Sequence, residues 1–216
     1  MRIAAVLLLL LPTGLASAQE SLETKLVIAQ EGRETGREEF TLRQGRGRGA
    51  PGSTLIAVAR YPATNPLLKV AGTLERTPEF ALAKFQLDVE GANGTTVILA
   101  AGSGARLIVR TVAKGSEAGR ELPGGPDVVL LDESVYSLYT AVADLATPEG
   151  KNLTGVFPRT GRRVSFVARR EGGGGTGAAR VTLNGDLNGT LATDGKGRLQ
   201  RLEFPGSGIL VTRAPD

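Results

Sequence analysis

The chain of 216 residues has no histidine, no cysteine and no tryptophan, and only three tyrosines and six phenylalanines. Without histidine and cysteine it cannot assemble a Ser-His-Asp or Cys-His nucleophile, the usual zinc ligand sets, a haem c attachment site or an iron–sulfur cluster. No disulfide can brace it. That is unusual for a small secreted eukaryotic domain and ordinary in the bacterial envelope. Scarce aromatics and a small excess of positive charge, with both signs interspersed, speak against nucleic-acid binding, since no basic stripe alternates with stacking residues. Phosphate-binding loops are also missing. GGGGTG at 172–177 precedes a strand and reads as a hairpin loop, and QGRGRGAPGS at 44–53 reads as a solvated basic loop. No cofactor or metal is expected.

The first residues are a signal-peptide pattern: Arg2, an apolar run over Ile3–Leu11, and the small-residue site Ala16-Ser17-Ala18. The run is too short for a stable membrane span. The expected organisation is therefore a leader over 1–18 and one β-rich domain over 19–216, in a bacterial periplasm or outside the cell. Removing Arg2 with the leader takes the formal charge from +4 to +3. After cleavage the chain is not expected to be an integral membrane protein. An outer-membrane barrel would need aromatic girdles, and nine aromatics do not supply them.

Short alternating segments between Gly, Pro and Asn turns predict roughly a dozen strands in antiparallel meanders. The clearest, Glu79–Glu90, sets Ala81, Ala83, Phe85, Leu87 and Val89 on one face, and Asn93-Gly94 then marks a tight hairpin. EGRETG at 31–36 reads as the first hairpin turn, and 114–126 as a polar Gly/Pro loop. The exception to the strands is Leu131–Ala146, LDESVYSLYTAVADLA, which predicts the single helix. Val135, Leu138, Tyr139, Val142, Leu145 and Ala146 share one face, and Ser137, Thr140, Asp144 and Thr147 leave only a narrow polar strip. So wide an apolar arc must be buried by the sheet. Asp132 reads as its N-cap, and Pro148 and Gly150 as its stop.

Carboxylates remain as candidate acids and bases: Asp127, Asp132, Glu133, Asp144, Asp186, Asp194 and Glu203. A glycan hydrolase would need a matched pair across a cleft, which spacing does not establish. Asp194 in DGKG reads as a turn residue.

Three stretches resemble an uncharacterised family of periplasmic proteins related in fold to the bacterial lipoprotein carriers (LolA and LolB). They are Gly197-Arg198-Leu199 with Pro205 and Arg213 near the end of the chain, the Asp127–Tyr139 segment, and Gly32–Phe40. The resemblance implies a mainly β fold: a curved antiparallel sheet, an open half-barrel, wrapped around one central α-helix. In the carriers that hollow takes acyl chains, and they have several helices where this chain has one. The functional expectation is a non-catalytic binding or carrier protein for a lipid or other hydrophobic group. Phe85, Leu87, Leu138, Tyr139, Val142 and Phe166 are expected to line the hollow, or to be core if the helix fills it. The alternatives are a structural or interaction protein with an envelope partner, and a carboxylate-based glycan hydrolase.

Overall fold

The computed structural model describes residues 24–45, 52–171 and 178–215. The glycine run and most of the basic loop, at 172–177 and 46–51, lie outside them, as do residues 1–18, read above as an expected leader.

Among the described residues, fifteen strands form one sheet. The first meander is β1 (Thr24–Gln30), β2 (Arg33–Gln44), β3 (Ser53–Tyr61), β4 (Leu68–Arg76), β5 (Leu82–Gly91), β6 (Gly94–Ser103), β7 (Arg106–Ala113) and β8 (Ser116–Pro123). The short β9 (Val128–Leu130) precedes a 3-10 turn over Tyr136–Tyr139 and the helix α1 (Thr140–Leu145). The second meander is β10 (Lys151–Phe157), β11 (Arg162–Glu171), β12 (Ala179–Gly185), β13 (Gly189–Thr193), β14 (Leu199–Phe204) and β15 (Ile209–Arg213). The two meanders join where β1 pairs antiparallel with β15, Leu26 opposite Arg213 and Gln30 opposite Ile209. All neighbours are antiparallel except β9, which runs parallel to β10. The sheet is open and strongly curved, with β8 and β9 as its edges. No helix among the described residues is long and apolar enough to cross a membrane.

Turn chemistry sets much of the register. Glu31 and Gly32 both have positive φ, 51° and 78°, and make the two-residue connection between β1 and β2; that combination matches the strands' own twist. The first turn is thus shorter than EGRETG, and β2 starts at Arg33. Ala92-Asn93 makes the β5–β6 hairpin, with Gly94 at φ 94°. The expected alternation of β5 holds for Phe85 and Leu87, each 0% exposed, and fails before them. A bulge leaves Ala83 exposed and unpaired, so Leu82 takes the inner face opposite Arg76. One inserted residue reverses the phase of everything upstream. The polar stretch 114–126 contains β8, whose residues are almost all exposed on both faces. Alternation cannot reveal such a strand; it is paired by β7 through Lys114-Gly115.

The helix is shorter than the sequence predicts. Leu131 N–H bonds to Val156 C=O and holds the chain extended beside β10. Helical geometry begins only at Tyr136. Asp132 is not an N-cap: its carboxylate accepts the Ser134 N–H at 2.8 Å and pairs with Arg159. A helix of six residues is not stable alone, and the sheet caps the whole segment, 3-10 turn and helix together, at both ends. At the start, Glu38 of β2 accepts the N–H groups of Tyr136 and Ser137 at 2.7 and 3.0 Å. At the end, Arg170 of β11 donates to the carbonyls of Ala143 and Ala146 at 2.5 and 3.3 Å. In the last turn, Asp144 pairs with the buried Arg76 of β4. The apolar arc is buried as expected, with Val135, Leu138 and Val142 all at 0%. The narrow polar strip is buried as well: Ser137 and Thr140 are inaccessible, and Thr140 Oγ1 donates to Ser137 C=O. Each fully buried Leu or Val side chain contributes roughly 1.5–3 kcal/mol, so the helix fills the hollow and anchors the concave face around itself.

Candidate functional site

The six residues expected to line a hollow all join one continuous hydrophobic core. Phe85 and Leu87 come from β5, Leu138 and Val142 from the helical segment, and Phe166 from β11. These five are buried at 3% exposure or less and do not border the cavity described next. Tyr139 is buried too, and its ring enters that cavity's wall.

The cavity lies at one end of the half-barrel and has a volume of about 510 Å³. The helical turn contributes Tyr136 and Tyr139, β10 Phe157, β14 Phe204, and β15 Ile209. The β12–β13 turn adds Asp186, Leu187 and Asn188; Arg162, Glu133, Gln30 and Ser207 complete the polar part of the wall. Four of the chain's nine aromatic rings thus meet at one opening.

The rings are fixed by geometry. Residues one 3-10 turn apart eclipse each other, which stacks Tyr136 and Tyr139 at 6.4 Å between centroids and 22° between planes. Phe204 meets Tyr139 edge-on at 5.4 Å. The Arg162 guanidinium lies 3.9 Å above the Phe157 ring and pairs with Glu133 at 2.9 Å. Burial pushes the Tyr136 hydroxyl up to about 12, helped by the nearby Glu38 carboxylate, and burial also raises Tyr139. Both phenols are therefore neutral donors at physiological pH.

The β12–β13 turn is held in place by Asp186, which accepts the Ser165 N–H at 2.8 Å and donates its own N–H to Ser165 C=O at 2.9 Å. Asn188 bridges Gly185 in both directions. The other carboxylates singled out in the sequence are engaged as well: Asp127 with Lys151, Asp132 with Arg159, Asp144 with Arg76, Asp194 with Arg198, and Glu203 with Arg201. Asp194 is a turn residue as expected, accepting the N–H groups of Lys196 and Arg198. No group of His, Cys, Asp or Glu among the described residues could hold a metal ion.

Sequence reading missed Phe157 and Phe204, although a signal was present. The chain contains Phe-Pro-x-x-Gly twice, as FPRTG at 157–161 and FPGSG at 204–208. Each copy ends a strand on Phe, turns at Pro, and closes on a glycine with positive φ, 74° at Gly161 and 65° at Gly208. Each delivers its Phe to the same cavity. No family model, no curated protein and no solved structure matches the chain.

Proposed function

We propose that the protein is exported from a bacterial cytoplasm and, in the periplasm or outside the cell, binds a lipid or other hydrophobic group without transforming it, in the end cavity. The observation that carries this reading is the gathering of four scarce aromatic rings around one opening, while the central hollow is occupied by the helical segment. A volume of about 510 Å³ falls within the usual range for small-ligand sites, roughly 300–1,000 Å³. Its wall is divided between apolar side chains, most of them aromatic, and polar ones, which suits an amphipathic ligand with an apolar body inside and a polar end at Arg162, Asp186 and Asn188. Carriage of a long acyl chain in the hollow, as in the lipoprotein carriers, is not part of the proposal, because Leu138 and Val142 already fill that space.

The test uses Gly206, which borders the cavity and has open space where a side chain would begin. Gly206→Trp should fill the mouth and leave the fold intact. Residues 19–216 are titrated with a fluorescent fatty-acid analogue and examined by native mass spectrometry with medium-chain fatty acids. Saturable one-to-one binding that Gly206→Trp weakens about ten-fold or more, about 1.4 kcal/mol, is expected. Absence of saturable binding, or binding that Gly206→Trp leaves unchanged, overturns the proposal.

Partner binding at a sheet edge is the second reading. It is favoured by β8, exposed along its length at the end of the sheet. Its charges and terminal Pro123, however, are the devices that keep edges from pairing.

A further inference from the structure

Among the described residues, Glu38 is the one carboxylate on a strand that is completely inaccessible, at 0% exposure, and it faces the helical segment. No cation among the described residues pairs with it. What it holds is backbone: the N–H groups of Tyr136 and Ser137, 98 and 99 positions later in the chain. These are the first donors of the 3-10 turn, and the residue before it, Val135, provides no side-chain cap. One turn further on is Tyr139, stacked on Tyr136. Both rings form the wall of the end cavity, so the carboxylate on β2 fixes the wall from behind.

We propose that Glu38 is the positioning residue of the end cavity, and that uptake of one proton from solvent by its carboxylate shifts the Tyr136–Tyr139 wall. A carboxylate offers full negative charge to two N–H groups; a carboxylic acid turns one oxygen into a donor and grips the pair less firmly. The groups around Glu38 are few. Asp132, bound to Arg159, approaches from the segment before the turn; Tyr61 comes from β3 and Tyr136 from the turn itself. None of these neighbours supplies Glu38 with a compensating positive charge in direct contact. Burial raises Glu38 to about 7; the neighbouring Ser137 hydroxyl and the two N–H bonds oppose the shift, and Asp132 adds to it. The wall would therefore change within the physiological range. The inference concerns the wall itself and stands whatever the cavity binds.

The protein provides its own probe. It has no tryptophan and three tyrosines, two of them in this wall. Near-ultraviolet circular dichroism in the tyrosine band is followed between about pH 5.5 and 8.5. The wild type should show one step with a midpoint of about 7, with far-ultraviolet signal unchanged. Glu38→Gln should lose the step, and Tyr61→Phe should keep it. A flat wild-type titration, a step that survives Glu38→Gln, or a step lost in Tyr61→Phe overturns the inference. If Glu38→Gln does not fold, the wild-type and Tyr61→Phe titrations still decide it.

Discussion

Removing Arg159 should cost far more than neutralising its partner Asp132, although the two share one ion pair. The guanidinium meets the carboxylate through Nε at 2.7 Å and Nη2 at 2.9 Å, and Nη2 also reaches Ser134 Oγ at 3.1 Å. Asp132 is 1% exposed, whereas Arg159 keeps 24% of its side chain accessible. In Arg159→Ala the carboxylate stays buried with only the Ser134 N–H as a donor. Breaking a buried pair in this way costs about 3–5 kcal/mol. In Asp132→Asn the amide oxygen can still accept the Ser134 N–H, and the freed guanidinium has water within reach, so the loss should be about 1–1.5 kcal/mol, that of an ordinary hydrogen bond. The coupling from the double-mutant cycle should be about 2 kcal/mol. Burial already raises the Asp132 carboxyl above the usual range, against the opposing pull of Arg159. With Arg159 gone the raised group favours its protonated form in the fold, so the penalty of Arg159→Ala should shrink as pH falls and grow as it rises. Urea unfolding of the three variants at about pH 5 and pH 7.5, followed by far-ultraviolet circular dichroism, measures all of this. The reasoning fails if Asp132→Asn is at least as costly as Arg159→Ala at the higher pH, or if the Arg159→Ala penalty is the same at both.

Glu38 gives a stability signature separate from its optical one. Its folded value of about 7 lies above the ordinary glutamate value of 4.5, so its contribution to stability is complete at low pH and is lost as pH rises from about 4.5 to about 7, by about 3 kcal/mol. Glu38→Gln should remove that part of the urea-midpoint pH profile, and an unchanged profile would show that the carboxylate is not desolvated in the fold. Leu138→Ala, at a position with 0% exposure, should cost about 2–5 kcal/mol in thermal or urea unfolding. A loss below about 1 kcal/mol would mean that the hollow is loosely filled.

What the sequence revealed and what it concealed divide along the range of the interactions. The two-residue turn at Asn93, the inner face of Phe85 and Leu87, and the burial of Val135, Leu138 and Val142 all follow from neighbours a few positions away, and they were legible. So was the architecture, a curved open sheet around one helix. The helix start was misplaced because Asp132 looks like a cap locally, while its real partner is Arg159, 27 positions on. The true cap, Glu38, is further away still. β8 escaped because period-two patterning exists only where one face is dry, and Ser116–Pro123 has none. The cavity was the least visible feature: its rings come from the helical turn and two distant strand ends, and only the repeated Phe-Pro-x-x-Gly hinted that they belong together.

The pairing of β1 with β15 has a consequence for how the molecule must assemble. Each meander consists of hairpins between sequence neighbours and can form from local contacts as the chain becomes available. The seam between them cannot, because it pairs Leu26 with Arg213, near the opposite ends of the described chain. Contacts at such separation carry the largest loop-closure cost and set the slow part of folding. The strand that completes the sheet is thus the last of the fifteen in chain order, and it is inserted at the sheet's middle, not added at its rim. Until Ile209–Arg213 is in place, β1 and β14 are two bare edges facing each other, and the protein is two half-sheets awaiting a central stave.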